Sequence, residues 1–364
     1  MHVLIVAVGD YPHLEGGSSP ERFNGLRGVG QLSSPPVSAR VMVEWLRNDF
    51  VPYHGKLASV EVLCSGTEAF VDDDGVKVEV ERATLAQLRA AVARWHTRGN
   101  VSEDDTLIFM FCGHGVASGA ISSLLLEEFG DNPLDPFSTG AVAADDFITG
   151  MRSCKALNQL YLLDACRYIP VDYQDEFGES SGVSLVRGVA HSNLGRSRQV
   201  CIWASKLGNS AYGRPGYPTI FTDALLDSMR GASARQDEET DAWVVQGTAL
   251  AEGINEFVKR SEAANKQFAT PGMMTEGFPL HVLAGPPVIP VNVVCRPANR
   301  YGTVDLRCGP GGYNVSGLLG PWHLELAHGS YSMTAHPKGK EEIIATRLCI
   351  ASPPGALVLM QVGD

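Results

Sequence analysis

Two residues of this chain combine a reactive type with a reactive place: His114, between Gly113 and Gly115, and Cys166, which closes Leu160-Tyr-Leu-Leu-Asp-Ala-Cys166. Each follows a short apolar run, Thr106 to Cys112 and Leu160 to Leu163, that reads as a strand buried on both faces. In a parallel α/β sheet, functional groups collect in the loops at the carboxyl ends of strands. If the two strands are neighbours, an imidazole and a thiol share one cleft, as a Cys/His nucleophilic pair requires. The thiolate is the attacking species, so a nearby imidazolium that lowers the thiol's pKa gives Cys166 a use. Gly113 and Gly115 leave room for a substrate chain, and the N–H groups of Gly115 and Cys166 suit a developing oxyanion. Singly, Cys166 reads as a small buried hydrophobe and His114 as a turn histidine. Together, the strand ends, the glycines and the polar stretch after the cysteine favour the pair. Cys112 and His114 at i, i+2 start no metal site, because no second ligand pair follows at metal spacing, and no cofactor is expected.

The elements that must position these residues show as apolar runs alternating with helical patterns. His2 to Val8 reads as the first strand, and Ser34-Pro35-Pro36 opens a helix to about Phe50 with Val37, Val41, Trp45 and Leu46 on one face. Ser59 to Cys64 reads as a strand, and Thr84 starts a helix that aligns Leu85, Leu88, Val92 and Trp95. Asp72-Asp73-Asp74-Gly75 lacks the later ligands of a calcium loop and reads as a solvated turn. Arg167 to Gln199 is polar and rich in Gly and Ser, longer than an ordinary loop inside a domain. Val200 to Ala204 resumes a strand, Thr219 to Met229 and Thr248 to Lys259 are apolar-faced helices, and Phe278 to Leu283 supplies a sixth strand. After Gly285-Pro286-Pro287, six short strand candidates alternate with Gly/Pro turns. The expected architecture is a three-layer α/β/α core over residues 1–285 around a mostly parallel six-stranded sheet. It divides into 1–166, a connection at 167–199 and 200–285, and a small all-β, sandwich-like domain follows at 288–364.

Composition narrows the functional classes. The 364 residues suit two domains, and 44% hydrophobic with 19% charged residues describes a globular chain. A net charge of -12, from 41 Asp+Glu against 29 Lys+Arg, argues against a surface that tracks nucleic-acid phosphates. The eight cysteines are dispersed without a C-x-x-C pair, which disfavours a disulfide framework or a zinc site. Val3 to Val8 lacks a cationic lead-in, and no segment approaches the roughly 20 apolar residues of a membrane helix. The expectation is a cytoplasmic protein with reduced thiols and no membrane or nucleic-acid partner. No glycine-rich phosphate loop follows the first strand, which sets aside a nucleotide-binding, flavodoxin-like reading.

Phe109-Met-Phe-Cys-Gly-His114-Gly, followed by Tyr161-Leu-Leu-Asp164-Ala-Cys166-Arg, resembles the caspase and metacaspase superfamily of cysteine peptidases. That superfamily places its histidine about 50 residues before an Ala-Cys-Arg-type nucleophile. The resemblance extends to Leu4–Tyr11, Pro36–Leu46, Trp203–Tyr212 and Phe221–Leu226, spanning roughly residues 1–285. It implies a caspase-like endopeptidase core in which Cys166 attacks, His114 moves the proton and the Gly115 and Cys166 amides form the oxyanion hole. Asp164 stands where caspases carry Gln and metacaspases carry Asp, at a position that lines the primary specificity pocket. A carboxylate there implies cleavage after Arg or Lys. Cys112 stands two before His114, where metacaspases often have Ser, and their second acidic residue is replaced at about Ser38. Asp10 would supply a second charge, although a strand-end Asp equally forms turns.

The resemblance implies more. Processing in the connection makes Arg187, Arg196 and Arg198 candidate self-cleavage points, set against an uncut loop. Some metacaspases are calcium-activated, and stand-alone bacterial relatives act on polypeptides as effectors in stress or antiphage defence, switched on by a protein partner. Two rivals stand beside this reading: a catalytically silent caspase fold serving as a binding module, and a Cys/His acyl hydrolase of small substrates. The β domain reads as a recognition module or a brace.

Overall fold

A computed structural model of the chain describes residues 1–21, 23, 25–26, 28–66, 70–71, 76–118, 121–167, 182–186, 196–316 and 320–363. The Asp72-Asp73-Asp74-Gly75 turn and Arg187 lie outside the described residues. The core runs β1 (His2–Val8), α1 (Ser34–Asn48), β2 (Ser59–Ser65), α2 (Leu85–Gly99), β3 (Thr106–Cys112), β4 (Gly115–Ser118), β5 (Ile121–Leu125) and β6 (Ala141–Ala143). It continues with α3 (Ala144–Gly150), β7 (Asn158–Asp164), β8 (Arg198–Trp203), α4 (Ile220–Asp227), α5 (Leu250–Val258) and β9 (Thr270–Met274). The spatial order β9-β8-β7-β3-β1-β2 makes one six-stranded sheet, parallel except for β9.

Period-two alternation explains why these runs are strands with two buried faces. Leu4, Val6, Leu107, Phe109, Phe111, Tyr161 and Leu163 pack on one side with Trp95 and Phe147. Val3, Ile5, Ile108, Met110, Leu160 and Leu162 pack on the other with Trp45, Phe221 and Ile254. Helix starts follow local chemistry. Prolines occupy the first turn of α1, where an N–H has no helical partner. At α2 the Thr84 side chain accepts from Gln87 N–H, and the Glu128 carboxylate takes the Leu85 N–H at 2.9 Å.

The sheet differs from expectation at its edge. Its sixth strand is β9, whereas Pro279–Val282 joins Ala234–Gln236 and Trp243–Gln246 in a separate three-stranded sheet. Thr270-Pro-Gly-Met-Met carries a proline and a glycine, which weaken a strand signal and are tolerated at a sheet edge. β4, β5 and β6 form a small antiparallel sheet just after His114, and Val183 extends it by bridging to Val142. Within the 167–199 connection, Val183 is therefore tied to the core by backbone hydrogen bonds to Ala141 and Ala143.

The C-terminal part is all β, as expected. Trp322–Ala327, Val288–Arg296 and Ala356–Gln361 form one sheet, and Tyr313–Val315, Val304–Gly309, Gly329–Pro337 and Ala345–Ala351 form the other. Val291, Val293, Trp322, Leu324, Met333 and Ala335 fill a core of their own between them. Arg260, just beyond α5, reaches these sheets by donating to Asn292 Oδ1 at 3.0 Å and Leu324 O at 3.3 Å. Among the described residues, no helix is long and apolar enough to cross a membrane.

Candidate active site

The chain leaves β1 toward β2 on one side and later returns to place β3 on the other, so the strand order reverses between β1 and β3. Crevices at the carboxyl ends of strands beside such a reversal are where open α/β sheets bind ligands. Three segments emerge here: Gly9-Asp10-Tyr11 after β1, Gly113-His114 after β3 and Ala165-Cys166 after β7. β3 and β7 are parallel neighbours, with Cys112 opposite Asp164. The segments after β3 and β7 share a cleft of about 260 Å³ lined by Gln31, Cys112, His114, Asp164, Cys166 and Thr219 among others. Of the eight cysteines, Cys166 alone is not buried.

The imidazole of His114 is oriented by Gly30, whose carbonyl lies 2.7 Å from Nε2. A carbonyl only accepts, so Nε2 carries the proton and Nδ1 is left as the basic nitrogen of the neutral ring. Burial lowers its pKa to about 4, with the Gly30 carbonyl opposing the shift. The Cys166 thiol is engaged by Ala211, whose N–H donates to Sγ at 3.2 Å, and Sγ donates to Ala211 O at 3.7 Å. Burial pushes this thiol up, the Ala211 amide opposes the shift and nearby Asp164 adds to it. Thiol and imidazole are thus both neutral at pH 7, and the imidazolium expected from the sequence to lower the thiol is not formed because burial disfavours both charged forms.

Gly115 approaches the Cys166 backbone closely. A Cβ there would stand 2.6 Å from the Cys166 carbonyl oxygen, which explains why the position takes glycine. Leu125 N–H donates to His114 O, so by antiparallel alternation Gly115 and Leu124 are a non-hydrogen-bonded pair. The Gly115 N–H therefore points away from the β5 ladder.

Asp164 is 3% exposed. Its Oδ2 accepts from the Thr219 hydroxyl, from the Thr222 hydroxyl at 3.1 Å and from the Cys112 thiol at 3.4 Å. Thr219 is the N-cap of α4, so the carboxyl sits where a helix favours negative charge. Burial nevertheless raises its pKa to about 6, against those hydrogen bonds. Among the described residues, no hydrogen bond reaches Oδ1. Ser38 stands on the same floor, with its hydroxyl accepting from Thr219 N–H at 3.0 Å.

Not every residue singled out in the sequence joins this group. Asp10 does not line the cleft. Its carboxylate pairs with Arg82 at 2.6 Å, and Arg82 also holds Glu127 at 2.6 Å. A guanidinium shared by two carboxylates explains the diversion, because it offers a charge partner that the cleft does not. Arg196 pairs with Glu103 on the surface. Arg198 belongs to β8 and its N–H donates to Leu157 O at 2.7 Å, so cleavage there requires opening the sheet. Thr219, Thr222, Ala211 and Gly30 were not singled out from sequence. Thr219 alone carried a signal, as a threonine before an apolar helical run.

This fold and cleft define an α/β protein with a thiol and an imidazole at the ends of adjacent parallel strands. The chain belongs to the caspase domain family, whose sequence model matches residues 38–267. The match includes His114, Asp164 and Cys166 and ends before the C-terminal β sheets. Uncharacterized protein y4kE of Sinorhizobium fredii (strain NBRC 101917 / NGR234) is 25% identical over 238 residues, 64% of this chain and 68% of that protein. Among solved structures, protein GSU0716 from Geobacter sulfurreducens is similar over 74% of this chain and 92% of its own, at 12% identity and a TM-score of 0.42. Caspase-1 from Spodoptera frugiperda is similar over 75% of this chain and 85% of its own, at 12% identity and a TM-score of 0.41.

Proposed function

We propose that the protein is a cysteine endopeptidase that cleaves after Arg or Lys. The observation that carries this reading is the convergence of Cys166, His114 and Asp164 on one cleft of a caspase-family domain. Cys166 Sγ attacks the scissile carbonyl while His114 Nδ1 takes the thiol proton. The oxyanion receives the N–H groups of Gly115 and Cys166. The tetrahedral intermediate collapses as His114 returns the proton to the leaving amine, and water, deprotonated by the same imidazole, releases the acyl group from the thioester. Asp164 holds the basic side chain of the substrate through Oδ1, with Cys112 beside it. Ordered hydroxyls on Oδ2 keep that carboxylate fixed, which favours a cation over a second acid.

The contact between Ala211 and the thiol supports a latent resting state, with substrate or a protein partner displacing it. The place of this peptidase as a cytoplasmic, partner-activated effector in bacterial stress or antiphage defence follows from the family resemblance. Processing in the connection, if it occurs, falls at Arg187 or Arg196 rather than within β8.

The test is labelling by peptidyl ketone probes bearing Arg, Lys, Asp or Leu at the first position, read by intact mass and by mapping the modified residue. Modification of Cys166 by the Arg and Lys probes is the expected result. Modification by the Asp probe overturns the assignment of Asp164. A thiol that reacts with small thioesters but ignores every peptidyl probe marks an acyl hydrolase instead.

A neutral resting pair has a further consequence. Iodoacetamide is expected to alkylate Cys166 slowly at pH 7, with a rate that keeps rising past the range of an ordinary cysteine, because burial raises the thiol. A rate already on its plateau below pH 7, followed by mass spectrometry, would show a preformed thiolate and imidazolium and refute the neutral pair.

A further inference from the structure

His114 is held by more than its own loop. Its backbone N–H donates to the Tyr11 hydroxyl at 2.8 Å, and that hydroxyl donates to Leu125 O at 3.3 Å. Leu125 N–H returns to the His114 carbonyl at 3.0 Å, which closes a ring of hydrogen bonds among the segments after β1, after β3 and in β5. The Tyr11 ring lies 4.8 Å from the imidazole, centroid to centroid, tilted by 46°. Tyr11 is fully buried, which keeps its hydroxyl neutral and able to accept and donate at once. A Cβ on Gly113 would stand 2.8 Å from that hydroxyl, so the glycine before His114 leaves the phenol its space.

Gln31 completes the arrangement from the other side. Its side-chain carbonyl accepts from Tyr11 N–H at 2.8 Å, and its amide donates to Tyr11 O at 2.9 Å and to Glu15 O at 3.0 Å. Gln31 directly follows Gly30, the residue whose carbonyl takes the Nε2 proton of His114. One side chain thus ties the backbone that carries the phenol to the backbone that carries the acceptor. Both partners of the imidazole are referenced to each other before they reach it.

We infer that Tyr11 and Gln31 are positioning residues that hold His114 in one orientation and one tautomer, Nε2–H to Gly30 with Nδ1 unprotonated. The consequence for turnover rests on His114 acting as the general base. The hydrogen-bonding consequence does not. A base whose accepting nitrogen is fixed in place spends none of its lifetime in the unproductive tautomer, and losing that orientation lowers the rate of the chemical step without weakening substrate binding.

The test uses the full chain labelled with ¹⁵N-histidine, with the His114 signals assigned from the His114→Ala spectrum. The unsubstituted protein is expected to show a solvent-protected imidazole N–H on Nε2. Tyr11→Phe keeps the ring and removes the hydroxyl. Gln31→Leu changes an exposed residue, so it remains informative if the buried substitution impairs folding. Each is expected to speed exchange of that proton at least tenfold. Each should also lower the maximal rate of Cys166 modification by the Arg probe about tenfold, with the half-saturating concentration unchanged in Tyr11→Phe, whose side chain does not line the cleft as Gln31 does. Gln31→Glu, which keeps the acceptor for Tyr11 N–H and loses the donor, should fall between. A purely structural role would reduce the folded fraction and leave protection and rate within it unchanged. Retention of both in Tyr11→Phe and Gln31→Leu, or an unprotected Nε2 in the unsubstituted protein, overturns the inference. If His114→Ala reacts at the unsubstituted rate, the catalytic reading fails while the exchange data still decide the positioning.

Discussion

Cys166→Ala is expected to abolish modification by the Arg probe, and His114→Ala to slow it by about 10²- to 10⁴-fold, the usual worth of a positioned acid/base. Turnover should fall further in the cysteine variant, by on the order of 10⁴-fold or more, because the covalent route disappears with the sulfur. Both variants should remain folded. Losing the thiol leaves Ala211 N–H without its partner, at a cost of about 1 kcal/mol. The measurement is the rate of probe incorporation at saturating probe, beside urea midpoints for each variant. A His114→Ala protein labelled as fast as the unsubstituted chain would end the assignment of the dyad.

Asp164→Asn is expected to act on specificity and stability in opposite directions. With the charge gone, the preference for the Arg probe over the Leu probe should fall by about 10²- to 10³-fold, the range for truncating one member of a buried ion pair. Stability follows from linkage. The folded carboxyl binds its proton more tightly than the unfolded one, with a pKa of about 6 against 3.8. The stabilisation from this group is complete below about pH 4, declines as pH rises through about 6 and is absent above that. Ionised Asp164 therefore costs the fold about 3 kcal/mol at pH 7, and asparagine should recover part of that while its carbonyl still accepts from Thr219 and Thr222. Urea midpoints across pH 4 to 8 check this: the unsubstituted chain should show the step and the variant should lack it. The same titration places the acid limb for Arg substrates near 6, above the value of about 4 at which His114 protonates. A variant that keeps its Arg preference would assign Asp164 to holding α4 alone.

Much of the core and part of the cleft were legible in the residues themselves. Largely apolar runs such as Thr106 to Cys112 survive as strands because both of their faces are buried, and their ends place His114 and Cys166 on neighbouring loops. The sixth strand was misplaced, because Pro279–Val282 is the better apolar run while β9 is an edge strand that tolerates Pro271 and Gly272. β4 to β6 went unread, since three short strands with small residues lack a strong period.

By itself the sequence determined the two-sided sheet, the all-β C-terminal part and the candidate nucleophile and base, because these depend on local pattern and on what ends each strand. Tertiary structure decided the rest. It sent Asp10 to Arg82, gave Asp164 to Thr219 and Thr222 across 55 and 58 positions of chain, and brought Gly30 to His114 across 84. A hydrogen bond between residues so far apart depends on where helices and loops dock on the sheet, and no local pattern of residue types encodes that distance.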